Sequence, residues 1–148
     1  PPSVAGDLVV DLAALLGGVD GVGARLDGEP VGVSGCRSLP DALVLTGFSY
    51  QADQRALQAT AIGRVLPRAR AVRCFGSAAP ELCWVACARA DAYFQHGTEI
   101  WDRAAGALIA AEGGAGIELP CPENDHLIIA ATPGVFDPLW GLVQFAAA

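Results

Sequence analysis

Trp101-Asp102-Arg103-Ala104-Ala105-Gly106-Ala107-Leu108-Ile109-Ala110-Ala111-Glu112-Gly113-Gly114-Ala115 opens on a tryptophan and an acid, runs through small and aliphatic residues and stops at paired glycines. An acid in a first helical turn complements the partial positive charge there. Glycine ends helices because it takes backbone conformations that other residues avoid. The stretch therefore predicts a helix over Trp101–Glu112, and its neighbours alternate around it. Upstream, Ala92–Gln95 reads as a short strand, Ala78–Ala88 as an apolar helix and Ala71–Phe75 as a strand. Before these come a helix over Ala52–Leu66, stopped by Pro67, and an apolar strand over Ala42–Thr46. Downstream, Ile117–Leu119 and Leu127–Ala131 read as strands and Val135–Phe145 as a closing helix. Strands alternating with helices over short connections predict an α/β fold built in layers.

The first forty residues read differently. Leu8–Leu16 is a mostly apolar run broken by Gly17-Gly18. Val22–Leu26 then leads into the turn pair Asp27-Gly28 and a short strand over Val31–Val33, and Ser34–Pro40 reads as a loop. No helix separates these strands, so they form an antiparallel piece. The expected division is residues 1–40 as strands and hairpin and residues 41–148 as an α/β substrate-binding domain.

Composition narrows the function. The chain has 148 residues, 53% apolar and 17% charged, with a net charge of −7. Its nine basic residues are all Arg and are scattered, which excludes the basic stripe that a phosphate-backbone binder needs. No apolar run is long enough to cross a bilayer, so no membrane partner is expected. The five cysteines (Cys36, Cys74, Cys83, Cys87 and Cys121) include no C-x-x-C pair, and a reducing cytoplasm is the expected compartment. Cys83 and Cys87, four apart on an apolar helix, read as a metal pair or as buried free thiols. The start at Pro1-Pro2 without any Met fits either removal of an initiator Met or trimming. Abundant Ala, Gly, Val and Arg with no Lys suggests a GC-rich bacterial genome.

Two places carry candidate chemistry. Asp102 is either an oxygen ligand for a hard cation such as Mg²⁺ or an acid that only complements its helix dipole. Gly76-Ser77-Ala78 opens the next helix upstream, where N–H groups suit oxygen-rich ligands and Ser77 can also cap the helix.

These motifs together resemble the inositol monophosphatase family. Gly21-Val22-Gly23-Ala24-Arg25-Leu26-Asp27-Gly28-Glu29-Pro30-Val31-Gly32-Val33-Ser34 is similar to its G-x-G-A-x-L-N-G-x-P-I-x-V-S hairpin. Thr46-Gly47-Phe48 is similar to its T-G-F strand end, Gly76-Ser77-Ala78-Ala79 to its G-[ST]-A-A loop and Asp91-Ala92-Tyr93-Phe94 to its D-A-Y-[YFW] strand. With the W-D motif at Trp101-Asp102, order and spacing agree over about residues 20 to 140. The resemblance implies a layered sandwich like the C-terminal half of the inositol monophosphatase and fructose bisphosphatase fold. It also implies Mg²⁺-dependent hydrolysis of a sugar or inositol phosphate monoester. In that scheme Asp102 is a metal ligand, and Gly76, Ser77, Ala78 and the residue at Gln95 bind substrate.

Departures from the family pattern set the alternatives. The Glu-Glu pair and D-P-x-D-G-T loop that hold its metals upstream are not found here. One carboxylate does not hold Mg²⁺ tightly, so hydrolysis is not expected from this chain alone and the magnesium site is incomplete. Gln95 stands where the family has a Glu, keeping one acceptor and losing the charge. Cys74 stands where bacterial members often carry Arg. His96 is an acid/base candidate at the pocket edge, or a hydrogen-bonded strand-end histidine. Trp84, Trp101 and Trp140 read as core. Strands between Leu8 and Val33 lack the family's two covering helices, so a homodimer partner or complementary subunit is expected over them. Besides half of a phosphatase, the sequence admits a metal-independent small-molecule-binding protein or enzyme on the same scaffold, and a non-catalytic partner-binding module.

Overall fold

A computed structural model describes residue 21, residues 23–122 and residues 126–144, so the Leu8–Leu16 reading lies outside the described residues. The Asp27-Gly28 turn forms, with φ of 52° and 81°. Positive φ at both positions is what a two-residue hairpin turn requires. Pairing starts beside this turn, so the antiparallel hairpin joins β1 (Arg25–Leu26) to β2 (Glu29–Pro30) and not to the expected Val31–Val33.

The remaining elements alternate as expected. After a 3₁₀ turn at Leu39–Asp41 come β3 (Leu43–Thr46), α1 (Ala52–Val65), β4 (Ala71–Arg73), α2 (Ala78–Ala86) and β5 (Ala92–His96). Then follow α3 (Ile100–Glu112), β6 (Gly116–Glu118), β7 (Leu127–Ala131) and α4 (Pro133–Val143). The last helix begins two residues earlier than its sequence pattern predicts because Pro133, with its fixed φ and missing N–H, suits a first helical turn.

β3 to β7 form one mixed sheet in the order β4-β3-β5-β7-β6. β4, β3 and β5 run parallel, while β7 is antiparallel to both β5 and β6. Alternation along each strand sends side chains to two cores. Val44, Phe94, Leu127 and Ile129 meet Ala61 and Val65 of α1 and Val135, Leu139 and Val143 of α4. Leu45, Tyr93, Ile128 and Ala130 meet Ala78, Leu82 and Val85 of α2 and Ala107 and Ala110 of α3. The result is a helix–sheet–helix sandwich in which each fully buried Leu, Ile or Val contributes about 1.5–3 kcal/mol. The hairpin packs on the outer helices: Ala24 and Val31 contact Cys83, Ala86 and Ile109.

This topology places the site. From β3 the chain moves to one edge through α1, then returns past β3 to β5 through α2. Right-handed crossovers made in opposite directions put their helices on opposite faces. The loops leaving the parallel strands therefore diverge beside β3, and a crevice opens at the strands' carboxyl ends. Among the described residues no helix is long and apolar enough to cross a membrane.

Candidate functional site

The crevice is a cleft of about 490 Å³. Gly47, Phe48, Ser49 and Tyr50 line it after β3, and Cys74, Gly76, Ser77 and Ala78 after β4. Gln95, Gly97 and Thr98 line it at the end of β5, and Asp102 from the first turn of α3. Gly76, Ser77, Ala78, Gln95 and Asp102 are thus brought together from two connections, β4 to α2 and β5 to α3. His96 is not among them. Adjacent strand residues point to opposite faces, so beside the cleft-lining Gln95 it turns inward, only 7% exposed. Its carbonyl accepts a hydrogen bond from Gln58 Nε2 (3.0 Å).

Gln95 is held from two sides. Its Oε1 accepts the Tyr93 hydroxyl proton at 2.6 Å. A β-carbon placed on Gly47 would lie 2.0 Å from that same oxygen. The T-G-F glycine therefore leaves the space that the amide end of Gln95 fills. The Tyr93 hydroxyl occupies one of the two lone pairs of that oxygen, and the amide presents N–H donors beside it.

Ser77 does not cap α2, although it has extended N-cap backbone angles, φ −144° and ψ 116°. Glu81 does the work expected of it. This residue is 1% exposed, and its Oε1 accepts the backbone N–H groups of Phe75 (3.1 Å), Gly76 (2.9 Å) and Ser77 (3.3 Å). Burial raises its pKa above the ordinary carboxylate value, and the three N–H bonds oppose that shift without cancelling it. Phe75, at the head of this turn, meets Trp84 edge-on with ring centroids 4.7 Å apart. Gln58 braces the opposite wall from α1. Its Oε1 accepts the Ser49 N–H (2.9 Å) while its Nε2 donates to the carbonyl of His96 at the end of β5.

Neither Glu81 nor Gln58 was singled out by the sequence. Glu81 lies four residues after Ser77, one more than the spacing of a capping box, and that near-match was the available signal. Asp91 proves to be a tie at the amino ends of β3 and β5, away from the cleft: its carboxylate accepts Ser34 Oγ–H (2.5 Å) and Leu43 N–H (2.6 Å).

Trp101 is not core. It is 77% exposed, because it lies five positions before Gly106 and is turned away from the buried stripe Gly106, Ala107, Ile109 and Ala110. Trp84 and Trp140 are half-buried. The five cysteines are free thiols. Burial pushes Cys83 up to about 12. Burial, and then the Glu81 charge, raise Cys74, so the thiol at the cleft is a neutral group and not a thiolate nucleophile.

Among the described residues no three His, Cys, Asp or Glu side chains gather as a metal set. Mg²⁺ takes six oxygens, commonly one or two carboxylates together with water and substrate phosphate. Asp102 fits one place in such a shell, but the described residues do not by themselves make a Mg²⁺ site.

The profile of the Inositol monophosphatase family matches residues 8–141. An inositol-1-monophosphatase of Mycobacterium leprae is 44% identical over 132 residues, covering 84% of this chain and 45% of the relative. The inositol-1-monophosphatase SuhB of Mycobacterium tuberculosis is 42% identical over 145 residues, covering 92% of this chain and 50% of the relative. A solved structure of Mycobacterium tuberculosis SuhB superposes with a TM-score of 0.75 at 43% identity, over 84% of this chain and 51% of that one. The chain spans about half the length of the curated relatives it matches.

Proposed function

The chain belongs to the inositol monophosphatase family, and from that premise we propose that it supplies the substrate-binding half of a Mg²⁺-dependent sugar or inositol phosphate monoesterase. The observation that carries this reading is the convergence of Gly76–Ala78, Gln95 and Asp102 on one cleft at the carboxyl ends of parallel strands. Ser77 and the Gln95 amide bind and orient a polyol ring, and the buried Gln58 and Glu81 hold the loops that carry this wall. Asp102 offers one carboxylate to a cation whose remaining ligands lie outside the described residues. When bound, that cation would neutralise the ester phosphate and acidify a water.

In this reading the chain works in the cytoplasm, and a second chain, either a copy or a complementary subunit, covers the strands before Ser34. Reconstitution tests it. The chain would be mixed with a segment bearing the Glu-Glu and D-P-x-D-G-T motifs, and phosphate release from myo-inositol 1-phosphate measured. The reading requires Mg²⁺-dependent release that Asp102→Asn abolishes; release unaffected by that substitution would overturn it.

A second reading keeps the cleft and drops the metal, as a small-molecule-binding protein on the same scaffold. The incomplete carboxylate set among the described residues favours it. Ligand binding indifferent to both Mg²⁺ and Asp102 would decide for it.

A further inference from the structure

We propose that Glu81 is the positioning residue of the cleft wall at residues 75–77, drawing its amides inward so that the wall takes uncharged hydroxyls and rejects an anion. The inference deepens the reading above and names which part of a sugar phosphate this wall can meet.

A turn leading into a helix N-terminus is ordinarily an anion site, because its N–H groups converge and the helix dipole adds to them. Here the converging donors already have an anion, and it belongs to the chain. Gly76, at φ 90°, lets the turn curl so that three successive amides reach one oxygen, Glu81 Oε1. The other oxygen, Oε2, is buried with no hydrogen-bond partner among the described residues.

Among the described residues, what acts on this carboxyl is its burial and the three backbone N–H groups, with no cation beside them. Its charge is felt by the titratable groups around it: after burial, it is what raises the Cys74 thiol just after β4 and the Tyr93 hydroxyl on β5, on which Cys74 and Asp102 of α3 also act. An anion approaching from the cleft would therefore find the donors turned away and a like charge behind them. A hydroxyl would find Ser77, which is exposed, lines the cleft and makes no cap hydrogen bond.

The test uses the full chain, ¹⁵N-labelled, in a buffer free of phosphate. Amide protons bonded to a carboxylate move upfield when it is protonated, so those of Phe75, Gly76 and Ser77 should move together as pH falls. In Glu81→Gln, which keeps the acceptor oxygen but cannot ionise, that joint movement should vanish while the turn's resonances keep the wild-type pattern. Inorganic phosphate should leave the three amides still in wild type and perturb them in Glu81→Ala, with several-fold tighter binding. Should the Ala variant fail to fold, wild type and Glu81→Gln decide by themselves.

Amides that do not titrate together in wild type, or that respond to phosphate there as strongly as in Glu81→Ala, would overturn the proposal. Joint titration with a cleft indifferent to myo-inositol would support the role of Glu81 and sink the polyol reading, so the two failures are distinguishable.

Discussion

At the scale of single residues, the cleft is shaped by a few side chains held through packing and hydrogen bonds. Gly47 is the clearest case: alanine there would drive a β-carbon to 2.0 Å from Gln95 Oε1. Gln95 would have to swing out and lose the Tyr93 hydroxyl. Gly47→Ala should therefore cost about 0.5–1.5 kcal/mol in urea unfolding, the worth of one hydrogen bond, and weaken polyol binding in the same protein; unchanged binding would detach Gln95 from the site. Glu81 carries a pH signature in stability. Its folded pKa lies above the ordinary value of 4.5, so the unfolded chain gives up this proton first. The contribution is present in full below that value and is lost as pH rises through the folded pKa. Glu81→Gln has no such loss, so its melting temperature relative to wild type should climb between pH 4 and pH 8. A constant difference would contradict this. These roles were hard to read in the sequence for a physical reason. Gln58 acts on Ser49 and on His96, 38 positions away, and no local pattern announces such a pair. Asp102 and Gly76–Ala78 were legible because their places at helix starts follow from local punctuation.

At the scale of elements, α2 and α3 pack closely enough that one glycine governs both. A β-carbon on Gly106 would lie 2.9 Å from the Ala79 carbonyl oxygen and 2.9 Å from Leu82 Cβ. Helix propensity favours alanine by about 1 kcal/mol, but overpacking costs about 1–3 kcal/mol. Gly106→Ala should thus destabilise and shift the first turn of α2, which carries Ala78. Gly63 on the exposed side of α1 has nothing within 4 Å of the same position. Gly63→Ala should stabilise by about 0.5–1 kcal/mol. Opposite signs in chemical denaturation check the packing account, and equal signs would refute it. The order of strands and helices was legible because apolar runs and Gly/Pro stops repeat along Ala42–Ala131. The pairing order β4-β3-β5-β7-β6 was not, since it depends on crossovers that span the whole domain. Trp101 was misplaced because an aromatic residue in a helix pattern does not by itself say which face is covered.

At the scale of the whole molecule, an acidic chain of net charge −7 presents a cleft that gathers Gly76–Ala78, Gln95 and the exposed carboxylate of Asp102. It spans about half the length of its curated relatives, and the account assigns it half of a site. The most direct measurement is a heteronuclear NMR titration of myo-inositol 1-phosphate into wild type and Asp102→Ala, each with and without Mg²⁺. The account predicts shifts confined to Gly47, Gly76–Ala78, Gln95 and Asp102, with Mg²⁺ tightening binding in wild type only. Shifts elsewhere, or the same Mg²⁺ effect in Asp102→Ala, would contradict it.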